Sequence, residues 1–311
     1  MPVTRKSYEQ LSQNVGMLHA STNIGVIQSA GKLYLIDSLD TDDAAEEILE
    51  ALDSLFPGLP VAAILNTHSH ADHVGGNAYI VHATGAQVWA TRAAQKSIEY
   101  PELQSTLIWG AKPFNRLLTP FYKAEASRVD RFLDEEPTAF ENVGIQVIAL
   151  PGHYADETGL LVHDASDGKT IFFLGDALFG TEMLKKYWIP FMTDPALFRD
   201  SVEKIENTPA DLYIPSHGLA HTEKTIHEIA ELNKMVTLET ETLIRNLLRK
   251  GPLSAEELLK QVADYAEIKL GLGQFLLIGS TLRSFLSSMN NRGLVSYEFE
   301  NNRMLWYAKQ N

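Results

Sequence analysis

Residues 61–76 of this chain read Val-Ala-Ala-Ile-Leu-Asn-Thr-His-Ser-His-Ala-Asp-His-Val-Gly-Gly, and this stretch decides the fold. Its first five residues are apolar and predict a buried β-strand. The six residues after Thr67 contain four potential metal ligands, which are His68, His70, Asp72 and His73. Two glycines at positions 75 and 76 permit close backbone approach and lead into a helix. Such side chains crowded at the end of a strand predict a metal site.

Alternation along this loop separates the four ligands into two pairs. His68 and His70 project from one side of an extended segment, whereas Asp72 and His73 turn toward the other side. Neighbouring residues can therefore serve two ions. The simpler alternative is a polar loop of solvated histidines, which the density of ligands at one strand end disfavours.

Three further potential ligands, His153, Asp176 and His217, each follow an apolar run that predicts a strand. An isolated aspartate of this kind is more often a turn or a helix cap, and an isolated histidine is more often an ordinary core or surface residue. Their shared position at strand ends favours a single metal centre built from all seven side chains.

The chain contains no cysteine, so that disulfides and thiolate ligands are excluded and any metal must be held by nitrogen and oxygen. Zinc is the first expectation for such a ligand set. Iron or manganese would accept the same nitrogen and oxygen atoms.

Composition limits the partners and the location. The formal net charge of −14 repels phosphate backbones, so a small-molecule substrate is expected and nucleic acid is not. No apolar run is long enough to span a membrane, and the N-terminal residues lack a signal-peptide pattern. The sequence therefore predicts a cytoplasmic protein with no membrane association.

Predicted strands and helices alternate through the first part of the chain. A hairpin at residues 25–36 precedes a helix at residues 42–55, and further strands continue as far as residues 211–215. This order predicts an α/β sandwich that forms a catalytic domain over residues 1–224. An aromatic segment between residues 91 and 134 is expected to be helical and to form a pocket wall. The stretch at residues 186–192 could line the same pocket, although ordinary domain packing explains these aromatic side chains slightly better.

The pattern changes to long helices in residues 225–311, which predict a second, smaller domain. A helix at residues 226–250 is followed by a second helix that Ser254 and Glu257 begin with a capping box. A third helix at residues 280–290 precedes a β-hairpin. Three helices and a terminal hairpin are similar to a winged-helix domain.

The order and type of the seven ligands resemble the metallo-beta-lactamase superfamily, whose pattern is His-X-His-X-Asp-His followed by separate His, Asp and His residues. The resemblance covers roughly residues 10 to 222. It implies an αββα sandwich of two mixed β-sheets flanked by helices. An aspartate at position 176, where zinc β-lactamases have cysteine, makes the chain look like the glyoxalase II branch.

The resemblance also implies a role for each ligand. His68, His70 and His153 would hold a first divalent ion, Asp72, His73 and His217 a second ion, and Asp176 would bridge the two. Asp37 matches a family position beneath the site, where it would orient a ligand, although ending a strand would explain it equally well.

A dinuclear metal-dependent hydrolase that uses a metal-bridging hydroxide is the function this implies. Asp72 would position the nucleophile or pass its proton onward. The expected substrate is a small ester, thioester or lactone.

Two other functions stay open. A phosphodiesterase or ribonuclease is the first, because some relatives with similar tails act on RNA, and Arg283 and Arg292 could contact phosphate. Residues 225–311 contain ten basic and ten acidic residues, however, and offer no basic stripe. The second is a noncatalytic ligand sensor, which the complete ligand set disfavours. The tail is expected instead to pack over the site or to form a homodimer.

Overall fold

The computed structural model describes residues 2–133 and 138–309, and its core is a sandwich of two mixed β-sheets. Within those residues the first sheet has seven strands in chain order: β1 (Tyr8–Gln10), β2 (Val15–Leu18), β3 (Ile24–Ser29), β4 (Lys32–Ile36), β5 (Val61–Leu65), β6 (Gln87–Ala90) and β7 (Arg131–Phe132). The strands are antiparallel as far as β4 and parallel from β4 to β7.

The second sheet has six described strands, arranged in reverse chain order across the sheet: β8 (Thr138–Ala139), β9 (Val143–Ala149), β10 (Thr158–Asp164), β11 (Thr170–Gly175), β12 (Leu212–Pro215) and β13 (His221–Thr222). Only the β11–β12 pair is parallel among them. The predicted hairpin at residues 25–36, the strand at residues 61–66 and the later strands between residues 145 and 215 are confirmed.

Helices cover both outer faces of the sandwich. They are α1 (Asp42–Leu55), α2 (Ala71–Val74), α3 (Asn77–Thr84), α4 (Arg92–Glu99), α5 (Glu102–Trp109), α6 (Thr181–Tyr187), α7 (Pro195–Glu206), α8 (Glu223–Leu248), α9 (Ala255–Tyr265) and α10 (Leu272–Asn291). A hairpin of β14 (Val295–Glu300) and β15 (Arg303–Ala308) follows them. Among the described residues, no helix combines the length and the apolar character needed to cross a membrane.

Three apolar layers account for this architecture. Side chains of both sheets, including Ile27 and Leu65 from the first and Leu160 and Ile214 from the second, form the layer between them. The outer face of the first sheet packs on α1 and α3. The outer face of the second sheet packs on α7, α8 and α10. The predicted αββα sandwich is therefore confirmed.

Helix α1 shows how local sequence sets an element. Thr41 accepts a hydrogen bond from the Ala44 backbone N–H at 3.2 Å, and Asp42 and Asp43 lie in the positive first turn. One face then buries Ile48 and Leu52 against the sheet. The predicted bounds of residues 42–55 agree with the structure.

Two predictions of helix extent were wrong. The segment predicted to be helical, of which residues 91–133 are described, has no α-helix after Trp109 and only a 3-10 turn at Asn115–Leu117, because Gly110 adopts a left-handed conformation (φ 75°) and Pro113 and Pro120 follow. Helix α10 begins eight residues before the predicted start. The Gly271 backbone N–H donates to Gln274 Oε1 at 3.3 Å there, and tertiary burial outweighs the glycines in its first half.

The apolar core continues across the predicted domain boundary at residue 224, which lies in the first turn of α8. Phe172 and Phe198 belong to the same buried cluster as Ile244 and Phe285. The buried carboxylate of Glu241 on α8 also pairs with Arg199 of α7 and with Arg292, which directly follows α10. The division into two domains stays a prediction, and the shared core indicates that the parts unfold together.

We expect Phe285→Ala to destabilise the whole chain by about 3–5 kcal/mol, because the fully buried ring would leave a cavity in the shared cluster. Urea unfolding followed by circular dichroism and by tryptophan fluorescence should give one coincident transition. Phe299→Ala is the matched control, since that ring is 72% exposed. A circular dichroism transition of Phe285→Ala at a lower urea concentration than its fluorescence transition would contradict a shared core.

Candidate metal centre

The seven predicted ligands lie together where strands of both sheets end. Strand β5 leads into the loop that carries His68 and His70, and α2 carries Asp72 and His73. The other three ligands follow β9, β11 and β12, and they are His153, Asp176 and His217. Parallel neighbours such as β11 and β12 end at the same edge, so their terminal loops meet there.

The first cluster of ligand atoms consists of three imidazole nitrogens. Nδ1 of His70 lies 3.0 Å from Nε2 of His68 and 2.9 Å from Nε2 of His153. These distances place three ring nitrogens around one point, as in a metal site with nitrogen ligands.

The second cluster consists of Asp72, His73 and His217. Oδ2 of Asp72 lies 3.3 Å from Nε2 of His217 and 3.8 Å from Nε2 of His73. The Asp72 side chain is 44% exposed, so this cluster reaches the surface of the cavity described below.

Asp176 lies between the two clusters. Its Oδ2 atom is 3.5 Å from Nε2 of His153 and 3.4 Å from Nε2 of His217, and its Oδ1 atom is 3.6 Å from Nε2 of His73. One carboxylate thus faces a histidine of the first cluster and both histidines of the second.

Hydrogen bonds on the side of the His153 and His217 rings away from the site determine which nitrogen faces it. Nδ1–H of His153 donates to the Phe191 carbonyl at 2.7 Å, and Nδ1–H of His217 donates to the Ser21 carbonyl at 2.6 Å. Because a carbonyl only accepts, Nδ1 of each ring carries a hydrogen and Nε2 is the nitrogen that faces the site. A metal centre needs this tautomer.

Buried atoms without partners test whether a metal fits. Nε2 of His73 and Oδ1 of Asp176 are buried, and neither has a hydrogen-bond partner in the described part of the chain. Burying such atoms unpaired costs free energy, which coordination of a cation would recover. The nitrogen and oxygen donor set therefore fits divalent ions.

The histidines of the first cluster are neutral. Burial lowers the pKa of His68 well below its usual range, lowers the pKa of His70 to about 3 and lowers the pKa of His153. Neutral imidazole is the form that binds a metal.

The second cluster concentrates negative charge. Burial alone would lower the pKa of His73 and His217, but nearby carboxylates, chiefly Asp72 for His73 and Asp176 for His217, raise both pKa values well above their usual range. Burial likewise opposes the charge on Asp176, yet the adjacent histidines hold its pKa well below its usual range. The surroundings thus favour a positive charge at this point, which a proton or a metal cation can supply.

Asp37 lies beneath the second cluster, as the sequence predicted. Its Oδ2 atom accepts from Nδ1–H of His73 at 2.8 Å and from the Thr67 hydroxyl at 2.8 Å, and its Oδ1 atom accepts from the Thr67 backbone N–H at 2.9 Å. Asp37 has a φ of 64°, an uncommon conformation that turns its carboxylate under the loop. It therefore orients the His73 ring.

The amino-acid sequence matches the metallo-beta-lactamase superfamily over residues 19–217, which is more than half of the chain. The chain belongs to the metallo-beta-lactamase superfamily. This match classes it with metal-dependent hydrolases that bind divalent ions, in keeping with its clusters of histidine and aspartate.

Two individual relatives match shorter stretches of this chain than the superfamily model does. It is 33% identical over 135 residues to a hydroxyacylglutathione hydrolase of Albidiferax ferrireducens, covering 43% of this chain and 40% of that protein. It is 31% identical over 157 residues to a hydroxyacylglutathione hydrolase of Methylobacillus flagellatus, covering 50% of this chain and 47% of that protein. The matches thus span less than half the length of either relative.

The same fold occurs in a beta-lactamase domain protein from Burkholderia ambifaria. That structure covers 97% of this chain and 93% of its own, with a TM-score of 0.75 and 16% identity. At this identity, the likeness concerns the fold alone.

Sequence analysis missed one buried carboxylate of this candidate site, Glu157. Its Oε1 atom accepts from the Asp176 backbone N–H at 3.0 Å, and its Oε2 atom lies 3.3 Å from Nδ1 of His68. Gly175 has a φ of 58°, and a Cβ atom there would collide with Oε1 of Glu157. The glycine therefore allows one carboxylate to support a ligand from each of two strand ends.

The signal that could have revealed Glu157 is the pair of acids that precedes the apolar strand β10. The first member, Asp156, is also buried, and its Oδ2 atom accepts from the Ser69 hydroxyl at 2.6 Å. Burial raises the pKa of Asp156 to about 6. Asp156 thus holds Ser69 of the ligand loop in place, and Glu157 supports His68 and Asp176.

Glu157→Ala should weaken metal binding by about ten- to a hundredfold, because His68 and Asp176 both lose a supporting group. Glu157→Gln should recover part of this loss, since its amide oxygen can still accept from the Asp176 N–H. Titration against a chelator of known affinity measures the effect. Glu203→Ala, at an exposed position of α7, is the control. Wild-type affinity in Glu157→Ala would refute this supporting role.

Proposed function

We propose that this chain is a dinuclear metal-dependent hydrolase of a small ester, thioester or lactone. The observation that carries the proposal is the pair of ligand clusters with Asp176 between them. His68, His70 and His153 would hold one ion, Asp72, His73 and His217 the other, and Asp176 would bridge them. Zinc is the first candidate, and iron or manganese suits the same donors.

Two bound divalent ions would supply a nucleophilic hydroxide near neutral pH and a Lewis acid for the bond under attack. The protein contributes the orientation of the ligands and a partly dry site. Carbonyl acceptors behind His153 and His217 keep their Nε2 lone pairs directed at the centre. Asp72 is half-exposed beside the reacting centre, where its carboxylate would position the nucleophile or pass its proton onward.

A cavity of about 440 Å³ opens on this centre and supports a small-molecule substrate. His70, Asp72, His153 and Asp176 contribute to its floor. The glyoxalase II branch is a reasonable comparison, because two relatives are hydroxyacylglutathione hydrolases, which cleave a thioester.

Cleavage of RNA or another phosphodiester has weaker support. The two arginines considered for phosphate contact are already engaged, since Arg283 pairs with Glu256 at 2.7 Å and Arg292 pairs with Glu241 at 2.6 Å. The net charge of −14 also opposes a polyanion. Residues 225–311, which we regard as a winged-helix-like domain, would then serve the cavity and not nucleic acid.

Asp176→Ala should lose most bound metal and reduce hydrolysis by at least about a hundredfold, because the clusters lose their shared ligand. Metal content by mass spectrometry and rates on a panel of thioesters, esters, lactones, phosphodiesters and RNA provide the test. Asp53→Ala, at an exposed position of α1, should leave both unchanged. Full metal content and activity in Asp176→Ala would defeat the proposal, and so would cleavage of RNA alone by the wild type.

A further inference from the structure

The walls of the cavity beside the candidate metal centre are apolar, although its floor is polar. Four parts of the chain supply them: helix α5, the irregular segment after it, the loop between α6 and α7, and helix α10. The apolar and aromatic side chains in these walls include Leu107, Ile108, Phe121, Tyr122, Phe191 and Leu277. Of the aromatic residues expected to form a wall, Trp109 and Phe114 pack on each other instead, with ring centroids 5.4 Å apart.

Hydrogen bonds hold these walls in place. The buried Ser105 hydroxyl on α5 lies 2.6 Å from the Leu117 carbonyl and 3.2 Å from the Tyr122 carbonyl. On the opposite side, the Met192 backbone N–H donates to the Thr281 hydroxyl of α10 at 3.2 Å. The cavity is therefore preformed, which lowers the entropic cost of binding.

The apolar wall reaches the ligand histidines directly. The ring of Phe191 lies 5.7 Å from that of His70 and 5.6 Å from that of His153, measured between centroids. An apolar group held against Phe191 would place an attached carbonyl beside the candidate ligand atoms. At the outer end, Leu107 is 70% exposed and Phe121 is 64% exposed, so both would gain from contact with an apolar ligand.

Charged groups in the lining are restricted to the floor. Among the residues that the structure describes, those that line the cavity include neither lysine nor arginine, and the ionisable groups of this lining are the four candidate ligands and two tyrosines. Burial raises the pKa of Tyr154 to about 12, so its hydroxyl is neutral. Arg116 lies close enough to Tyr122 to influence its pKa, and is one cation near the wall. Glutathione carries two carboxylates, and the described lining has no two cationic side chains that could pair with them.

We propose that this cavity binds an uncharged, apolar acyl group, so that the substrates are neutral acyl esters or thioesters and not hydroxyacylglutathione. The inference rests on the proposed hydrolysis and names its substrate class. In the reaction, the oxygen of water bonds to the acyl carbon and the bond from that carbon to sulfur or oxygen breaks. One proton of the water ends on the leaving group, and the other is released as the acid ionises.

Binding of uncleavable thioethers tests the pocket without requiring activity. The probes are S-alkyl N-acetylcysteamine and S-alkyl glutathione with equal alkyl chains from two to twelve carbons, titrated calorimetrically into the full metal-loaded chain. The Kd of the neutral series should fall by up to about fourfold per methylene until the cavity is filled. At equal chain length, the neutral probe should bind at least about tenfold more tightly than the glutathione probe.

Variants of α10 test whether the alkyl chain of the bound probe lies against this helix. Leu277→Trp should shift the best chain length downward by several carbons, because the larger ring would occupy the cavity. Phe275→Ala is the matched control on the same helix, since Phe275 is 40% exposed and does not belong to the lining residues. Its chain-length profile should match that of the wild type.

Three results would overturn the inference: a Kd independent of chain length, an unchanged profile in Leu277→Trp, or tighter binding of the glutathione probes that Arg116→Gln abolishes.

Hydrolysis of the corresponding thioesters is measured in parallel. Apolar binding without hydrolysis of any ester, thioester or lactone would defeat the proposed function and retain the pocket. Hydrolysis restricted to glutathione thioesters would defeat the pocket and retain the function.

Discussion

The convergence of buried lone pairs at the ends of the strands is the constraint on which the rest of this structure depends. His70 brings its Nδ1 atom within 3.0 Å of two other ring nitrogens, and none of the three rings is favoured as a cation. Such an arrangement is costly for an apolar protein core unless a cation is bound. Folding thus prepares the centre, and the metal would stabilise the fold in return.

Support for the ligands comes from carboxylates and carbonyls behind them. Asp37 holds His73, and Glu157 contacts both His68 and the backbone of Asp176. Asp37 has a positive φ, which is uncommon for a residue other than glycine. Strain of this kind persists only where the surrounding structure enforces it, which agrees with a preorganised site.

The C-terminal helices serve both the core and the cavity. Helix α10 buries Phe285 in the cluster behind the second sheet, and it also presents Leu277 to the cavity. Thr281 connects the same helix to the loop that carries Phe191. A change in the tail should therefore alter the choice of substrate, even though the candidate ligands lie outside it.

The sequence by itself indicated the order of strands and helices and placed seven candidate ligands after apolar runs, because strand periodicity and ligand spacing are local. The family resemblance added the bridging position of Asp176 and the place of Asp37 beneath the site, and the helical pattern indicated the order of helices and hairpin in the tail. Only the tertiary structure decided that Glu157 supports two candidate ligands and which side chains of α10 line the cavity. Each of these depends on contacts between distant segments, where long-range packing rather than local propensity selects the neighbours.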